Sequence, residues 1–272
     1  MSKYRIGEFA NVLGVTPDFL KYYEKEQLLI PEKDQKSGYR YYQFRQTAML
    51  MQHIRDRNLG FSIKESQKVA KDISFDEYMD TLRQKKQTLT QSIARSQLLL
   101  EYISRMEQVE KWMQQPGVWY IEEVPSIWLL PHSQDDLFLG DTELTKAAGV
   151  WYLQAPVTKS CCVYSPDYLQ NQGIRTFCLA ATEEAVQTLK LPLPPQAKKS
   201  PGCRCLIIPV HETISWSEPT SKKDNYLAPV KQILEKYHFQ VTGKFYRMMY
   251  AVFDRTDHTR DSWHVFYVPI AI

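Results

Sequence analysis

No cysteine precedes Cys161, no glycine or proline interrupts residues 74–114, and no apolar run approaches the roughly 18 residues needed to span a bilayer. Each absence excludes something. The five cysteines (Cys161, Cys162, Cys178, Cys203 and Cys205) are odd in number and confined to the second half, which argues against a disulfide framework. The start after Met1 is polar and cation-bearing rather than an export signal, so a reduced cytoplasm is the expected compartment and no membrane is expected as a partner. Missing too are a nucleophile elbow, metal-ligand spacing and a glycine-rich phosphate loop, so no cofactor, metal or catalytic residue is expected. Cys161–Cys162 and Cys203-Arg-Cys205 could bind a soft metal, but they fall in strand-like runs where small buried thiols are the usual case. A net excess of either sign is small: 34 Lys+Arg against 31 Asp+Glu leave +3 over 272 residues. Its distribution is uneven, with 13 Lys+Arg against 9 Asp+Glu in residues 1–73, 6 against 6 in 74–114, and 15 against 16 in 115–272.

The positive segment is also the one with docking motifs. Ile6, Phe9, Ala10 and Leu13 recur at helical spacing, Gly14 follows them as a stop, Thr16 is placed to cap a second helix, and Pro17 occupies its first position. This predicts a helix over about 17–25 and a helix-turn-helix, whose second helix enters a major groove. An ordinary helical hairpin has the same signature. Beyond Pro31, the run SGYRYY (Ser37 to Tyr42) reads as a turn at Gly38 into a short strand of a wing. Its cations neutralise phosphates and its tyrosine hydroxyls fix register on a duplex.

The stretches IGEFANVLGVTPDFLKYYEKEQLL, SGYRYY and RDRNLGFSIKE together resemble the DNA-binding domain of the MerR family of transcriptional regulators. Arg57, Leu59, Gly60, Phe61, Ser62, Ile63 and Glu65 match the turn of that family's second helix pair. The resemblance implies DNA contacts from Thr16, Tyr22, Tyr23, Tyr39, Arg40, Tyr42 and Arg57. Lys21 stands where the family usually has Arg before the tyrosine pair, offering a point charge in place of a bidentate fork. MerR-like metal and redox sensors place ligand thiols near the end of the long helix, and this chain has no cysteine there.

Residues 74–115 form the next expected unit. Ser74 and Glu77 make a capping box, and Leu82, Leu89, Ile93, Leu100, Ile103 and Met106 recur at three-, four- and seven-residue steps. A helix of some 40 residues is roughly 60 Å long, and its stripe needs a second copy or another helix of the same chain. Pro116-Gly117 ends it. The MerR resemblance implies an antiparallel coiled coil in a homodimer, with two reading heads on successive turns of a pseudo-palindromic operator.

From residue 116 the composition turns to β-branched and aromatic runs (WYIEEVPSIWLL, WYLQAPVTKSCCVY, IRTFCLAA, CRCLIIPVHE, KFYRMMYAVF and WHVFYVPIAI), with helices expected over about 135–148 and 225–237. The order strand, helix, strand, strand occurs twice, predicting a duplicated α+β ligand-binding domain with a cleft between halves. This pattern resembles the GyrI-like effector-binding domain of multidrug-sensing MerR regulators. By position, the resemblance implies pocket roles for Trp216, Tyr226 and Trp263. Trp151, Tyr152 and Tyr164 are further candidates from aromatic content. The family's buried carboxylate, which pairs with lipophilic cations, is replaced at the matching position by Arg247, a further ligand-site candidate. The ligand's charge stays open, because the pocket could take neutral or anionic molecules, another acid such as Glu212 or Glu218 could substitute, or Arg247 could form an internal ion pair.

The expected architecture is therefore α+β: a winged helix-turn-helix over 1–73, a dimerisation helix over 74–115 and an effector-binding domain over 116–272. The expected function is a non-enzymatic activator that distorts double-stranded promoter DNA for RNA polymerase when it binds a hydrophobic aromatic molecule, controlling efflux or detoxification. Two alternatives compete. One is a small-molecule-binding or hydrolysing protein, with His132, His211, His238 or His264 as base; the other is a ligand-sequestering protein with a vestigial DNA head.

Overall fold

A computed structural model describes residues 3–115, 117–135, 137–215 and 227–271. The chain divides into two compact units, residues 1–92 and 93–272, and a mixed α+β architecture results. Among the described residues no helix is long and apolar enough to cross a membrane.

The first unit begins with strand β1 (Lys3–Arg5), helix α1 (Ile6–Leu13) and helix α2 (Pro17–Lys25). Gly14 takes the left-handed conformation (φ 67°) that ends α1, where a Cβ would be strained. The Thr16 hydroxyl then accepts from the Phe19 amide at 3.2 Å, capping α2. Strands β2 (Glu32–Lys33) and β3 (Arg40–Gln43) form the wing, with β3 paired antiparallel to both β1 and β2. The wing turn is held by Asp34, whose carboxylate accepts from the Lys36 and Ser37 amides at 3.0 and 2.7 Å. Gly38 supplies its positive φ of 70°. Phe9, Ala10, Leu20, Tyr23, Leu28, Leu29, Tyr42 and Leu50 form one buried cluster that fixes these elements. Helices α3 (Gln46–Asn58) and α4 (Ile63–Asp72) make the second pair. Ser62 and Glu65 satisfy each other's amides at the start of α4.

Helix α5 (Phe75–Met113) is continuous, as a segment without glycine or proline permits. Ser74 and Glu77 form the expected capping box at its start. Leu89, Ile93, Leu100 and Ile103 are each at least half exposed along it.

The second unit is built on an antiparallel sheet. Its strands are β4 (Tyr120–Val124), β5 (Ile127–Gln134), β6 (Leu137–Phe138), β7 (Lys159–Tyr164), β8 (Arg175–Thr182), β9 (Lys198–Ser200), β10 (Cys203–Ser215), β11 (Gln240–Val241), β12 (Phe245–Asp254) and β13 (Thr259–Ala271). The order across the sheet is β4-β10-β13-β12-β7-β8-β5-β6, with β9 added to β5 and β11 to β13. Helices α6 (Thr142–Tyr152), α7 (Glu183–Leu189) and α8 (Ala228–Tyr237) complete the unit. Period-two alternation sorts the side chains. Cys161, Cys178, Leu129, Tyr246, Met248 and Tyr267 share one face with Val109 and Trp112 of α5. On the opposite face Cys162, Tyr164, Phe245 and Phe266 pack with α8, and Leu130 and Leu179 pack with α6 and α7.

Several boundaries differ from the sequence reading. Pro125 separates two strands where one run was expected. The helix expected from 135 starts at Thr142, because Leu137–Phe138 instead pair with β5 and the Asp141 carboxylate caps the Leu144 amide at 2.8 Å. Trp151 and Tyr152, read as the start of a strand, are the last turn of α6. Only Ala228–Tyr237 of the helix expected over 225–237 is helical within the described residues.

Gly202, between β9 and β10, is a close-approach glycine. A Cβ there would sit 2.9 Å from the Val124 carbonyl oxygen and 3.2 Å from the Ser126 nitrogen. Both are backbone atoms, so relief requires separating two strands. Gly202→Ala is expected to cost about 1–3 kcal/mol, read as a lower urea midpoint for the second unit. An unchanged midpoint would mean the strands part freely.

Candidate nucleic-acid interface and ligand cleft

In the first unit the residues implied for DNA contact separate into two groups by exposure. Tyr22 is 43 % exposed while its neighbour Tyr23 is 5 % exposed, and Tyr39 is 56 % exposed while Tyr42 is fully buried. Helical and strand geometry turns adjacent residues to different sides. Tyr23 stands in the core, with its ring 4.9 Å from Phe19, and burial raises its phenol pKa. Tyr42 stacks on Phe9 at 5.0 Å and donates its hydroxyl to Glu24. These two rings are thus buried between α2 and the wing.

The outward group is basic and aromatic. Lys21 pairs with Asp18 at 2.8 Å on α2, and Arg40 reaches back to Glu24 at 3.4 Å. Tyr39 is covered by the Arg5 guanidinium, 5.1 Å from its ring centroid. Two shallow hollows flank Arg40, one shared with Lys21, Lys25 and Lys33, the other with Arg5, Gly7 and Tyr39. Thr16 spends an oxygen lone pair on its cap, which leaves its hydroxyl proton free to donate. Arg57 donates to the Phe61 carbonyl across the second turn. Arg5, Lys25 and Lys33 were not singled out from sequence. Arg5 and Lys33 lie outside the matched motif runs and Lys25 inside one, and only the folded wing brings all three beside Arg40.

Under this surface lies a buried polar group. Asp56 is fully buried; its carboxylate accepts from the Tyr78 hydroxyl and the Gln52 amide, both at 2.8 Å. Lys85 of α5 donates to the Gly60 carbonyl at 2.9 Å and to Glu65 at 3.0 Å. The turn that carries Arg57 is thus fastened to the first turns of α5.

In the second unit the residues expected to line a pocket are dispersed. Trp151 is fully buried in the cluster under α6, its indole N–H donating to the Pro192 carbonyl at 2.9 Å. Tyr152 is exposed, 6.0 Å from the His132 ring. Tyr164 is buried against Phe245 with stacked rings 5.0 Å apart, on the α8 side of the sheet. Arg247 lies cross-strand from Phe266 and Cys162, on that same side. Trp263 stacks on His211 at 4.6 Å and meets Phe253 edge-on at 5.3 Å. It borders a groove of about 540 Å³ with Ile103, Met106, Glu107 and Glu110. Trp216, Glu218 and Tyr226 lie outside the described residues.

A separate cleft of about 500 Å³ opens on the sheet face that carries Val109 and Trp112 of α5, floored by Leu129, Val163, Cys178, Cys203 and Tyr246. None of the expected pocket residues that are described (Trp151, Tyr152, Tyr164, Arg247 and Trp263) lines it. The alternation Phe245-Tyr246-Arg247 points Tyr246 into the cleft and Arg247 away from it. Burial pushes the Cys178 thiol up to about 12, so it is neutral near pH 7. Cys203 and Cys205 approach at 3.5 Å between sulfurs. Among the described residues no three His, Cys, Asp or Glu side chains converge as a metal site.

Comparison with known proteins bears on the first unit. Residues 4–73 match the model of the MerR HTH family regulatory proteins. The HTH-type transcriptional regulator ZntR of Escherichia coli is 41% identical over 61 residues, 22% of this chain and 43% of ZntR. The uncharacterized HTH-type transcriptional regulator PA4778 of Pseudomonas aeruginosa is 43% identical over 60 residues, 22% of this chain and 46% of that protein. The match thus spans less than half the length of these relatives. The cryo-EM structure of an EcmrR–DNA complex in EcmrR-RPo is 17% identical, covering 98% of this chain and 99% of that one, with a TM-score of 0.39. A capped two-helix turn, a two-stranded wing and the Arg57–Glu65 turn all lie within the matched segment, so residues 4–73 are a MerR-type helix-turn-helix module.

Proposed function

We propose that the protein is a ligand-responsive transcriptional regulator that binds double-stranded promoter DNA as a homodimer in the cytoplasm. The observation that carries this reading is the outward basic–aromatic surface of α2 and the wing (Lys21, Tyr22, Tyr39 and Arg40) within a MerR-type module. Lysine and arginine supply phosphate contacts, and the tyrosines fix register. The apolar stripe of α5 (Leu89, Ile93, Leu100 and Ile103) supports pairing with a second copy, antiparallel as in the family. Two reading heads then fall on one pseudo-palindrome.

In this reading the second unit is the effector-binding domain. Two runs support reading it as duplicated, β5-α6-β7-β8 and β10-α8-β12-β13 (with the short β6 and β11 set aside), and β7 pairs with β12 between them. Such a duplication creates a cleft between halves. A hydrophobic aromatic effector bound there changes how the dimer holds its operator, and the DNA is bent and untwisted so that RNA polymerase can use the promoter. The distortion costs on the order of a few kcal/mol, which the effector supplies only by binding one state more tightly than the other. Control of efflux or detoxification fits an aromatic effector.

Footprinting on the DNA upstream of the protein's own gene, with transcription assayed with and without planar aromatic compounds, tests this. Protection of a two-fold symmetric site by a dimer is expected. Arg40→Ala is expected to weaken binding on every sequence and to lower the slope of log affinity against log salt by about 1. A monomer indifferent to that DNA at low ionic strength would overturn the reading. If Arg40→Ala changed preference at one base pair and left the salt slope intact, Arg40 would instead be a base reader.

A further inference from the structure

The cleft floored by Tyr246 carries a charge pattern that the effector-binding reading does not itself supply. Lys198, Lys199 and Lys244 stand on its wall, and among the described residues no aspartate or glutamate lines it. Lys199 is tied to Glu183 at 2.6 Å, a carboxylate outside the cleft that also accepts from the Trp128 indole at 2.9 Å. Among the described residues, Lys198 and Lys244 have no carboxylate within ion-pair distance. They come from separate elements: Lys198 opens β9, and Lys244 immediately precedes β12. Two unneutralised ammonium groups thus face one apolar floor.

That floor adds no opposing charge. The Cys178 thiol is held neutral by burial, with Lys244 the nearby cation that pulls it back toward the ordinary range. Burial raises the Tyr246 phenol as well, and its hydroxyl shares a hydrogen bond with Ser200. Because only one of those two hydroxyls donates to the other, the pair keeps one O–H to offer at the polar end. A volume of about 500 Å³ lies within the range of small-molecule sites. The combination is an apolar slot with an aromatic wall, a hydroxyl donor and two free cations at its mouth. A lipophilic cation would meet like charge there, and an amphipathic anion would find its counter-charges in place.

We propose that this cleft is the effector site and that it takes a planar apolar molecule carrying one negative charge, a carboxylate or sulfonate, in preference to a cation. The inference rests on reading the second unit as effector-binding and adds the ligand's charge and position. The lysine side chains are exposed, so each contributes through a partly screened field and through direct hydrogen bonding. Reversing one of them is expected to change affinity by about tenfold.

The test uses the full-length protein and three probes of one shape: 2-naphthalenesulfonate, 2-naphthol and 2-naphthyltrimethylammonium, titrated calorimetrically at fixed ionic strength. The sulfonate is expected to bind at least tenfold more tightly than the ammonium. Lys244→Glu and Lys198→Glu should each weaken the sulfonate about tenfold and leave naphthol within twofold, and Tyr246→Ala should weaken all probes that bind. Operator binding without ligand should be unchanged in both lysine variants, which also reports that they fold. Equal or tighter binding of the ammonium, or sulfonate affinity indifferent to both lysine reversals, would overturn the charge assignment while leaving an effector site in the second unit. Competition by inorganic sulfate at the same concentration as the naphthyl probe would reduce the site to a general anion patch and overturn it too. If no probe binds at millimolar concentration, the effector-binding reading fails together with this one.

Discussion

Asp56→Ala is expected to lower the stability of the residue 1–92 unit by about 1–3 kcal/mol, the range for leaving a buried hydrogen-bond donor without its acceptor. The carboxylate is fully buried and accepts two hydrogen bonds of 2.8 Å, one from Tyr78 and one from Gln52. Truncation leaves the Tyr78 O–H without its acceptor beside a void, while the Gln52 amide keeps its second acceptor, the Tyr78 oxygen at 2.9 Å. Phe61 is buried next to it, its ring 6.1 Å from that of Tyr78, and would lose part of its packing. Asp56→Asn keeps one acceptor oxygen and should cost less, about 1–2 kcal/mol. Amide hydrogen exchange across α3 and α4 in the full-length protein reads this directly. Because Asp56, Tyr78 and Lys85 fasten the Arg57 turn to the start of α5, operator affinity should fall in parallel with protection. Normal protection in Asp56→Ala would show that the network holds no stability. Normal protection with lost affinity would instead place Asp56 in DNA binding itself.

The first unit was legible because its punctuation is local. Gly14, Thr16 and Pro17 mark one helix end and the next start within four residues, and Ser74 and Glu77 mark the start of α5 in the same way. What sequence alone left undecided was the side to which each aromatic turns. In KYY and YRYY, neighbouring tyrosines share composition, and only packing against Phe9 and Phe19 makes Tyr42 and Tyr23 internal while Tyr22 and Tyr39 stay outside. The second unit was harder for a related reason. Alternation in FYRMMY assigns Tyr246, Met248 and Tyr250 to one face, but nothing in the run says which face borders a cleft. The three-residue strand Lys198–Ser200 has no hydrophobic signature, so the lysines it places on the cleft wall emerge only from its pairing with β5. Trp151 attracted attention as a large aromatic, and its placement at the end of a helix makes it core. Trp151 and Tyr164, expected to line a pocket, are instead core residues.

The second large effect concerns acid. His264 on β13 is 6 % exposed, and burial, reinforced by the nearby Arg247 guanidinium, lowers its pKa from 6.5 to about 3. The folded state therefore favours the neutral ring, whereas the unfolded chain takes up a proton below about pH 6.5. Stability from this group is fully present above 6.5 and is lost progressively as pH falls from 6.5 toward 3, at up to about 1.4 kcal/mol per unit. At pH 4.5 the second unit should be about 2–3 kcal/mol less stable than at pH 7.5 on account of His264 alone. His132, whose pKa burial also lowers, adds to the slope in the same direction. The lowered carboxylates Asp254 and Asp261 lose their contributions only below their ordinary value of 3.8, so the interval from 6.5 to 4.5 isolates the histidines from these. His264→Gln removes one titration and keeps a polar side chain in the site. Urea unfolding of wild type and variant at half-unit steps should give curves that converge as pH falls through this interval, the variant being less sensitive to acid. Curves that stay parallel from pH 7.5 to 4.5 would mean that His264 is solvated or protonated in the folded protein, and that water or an ion reaches the α8 side of the sheet.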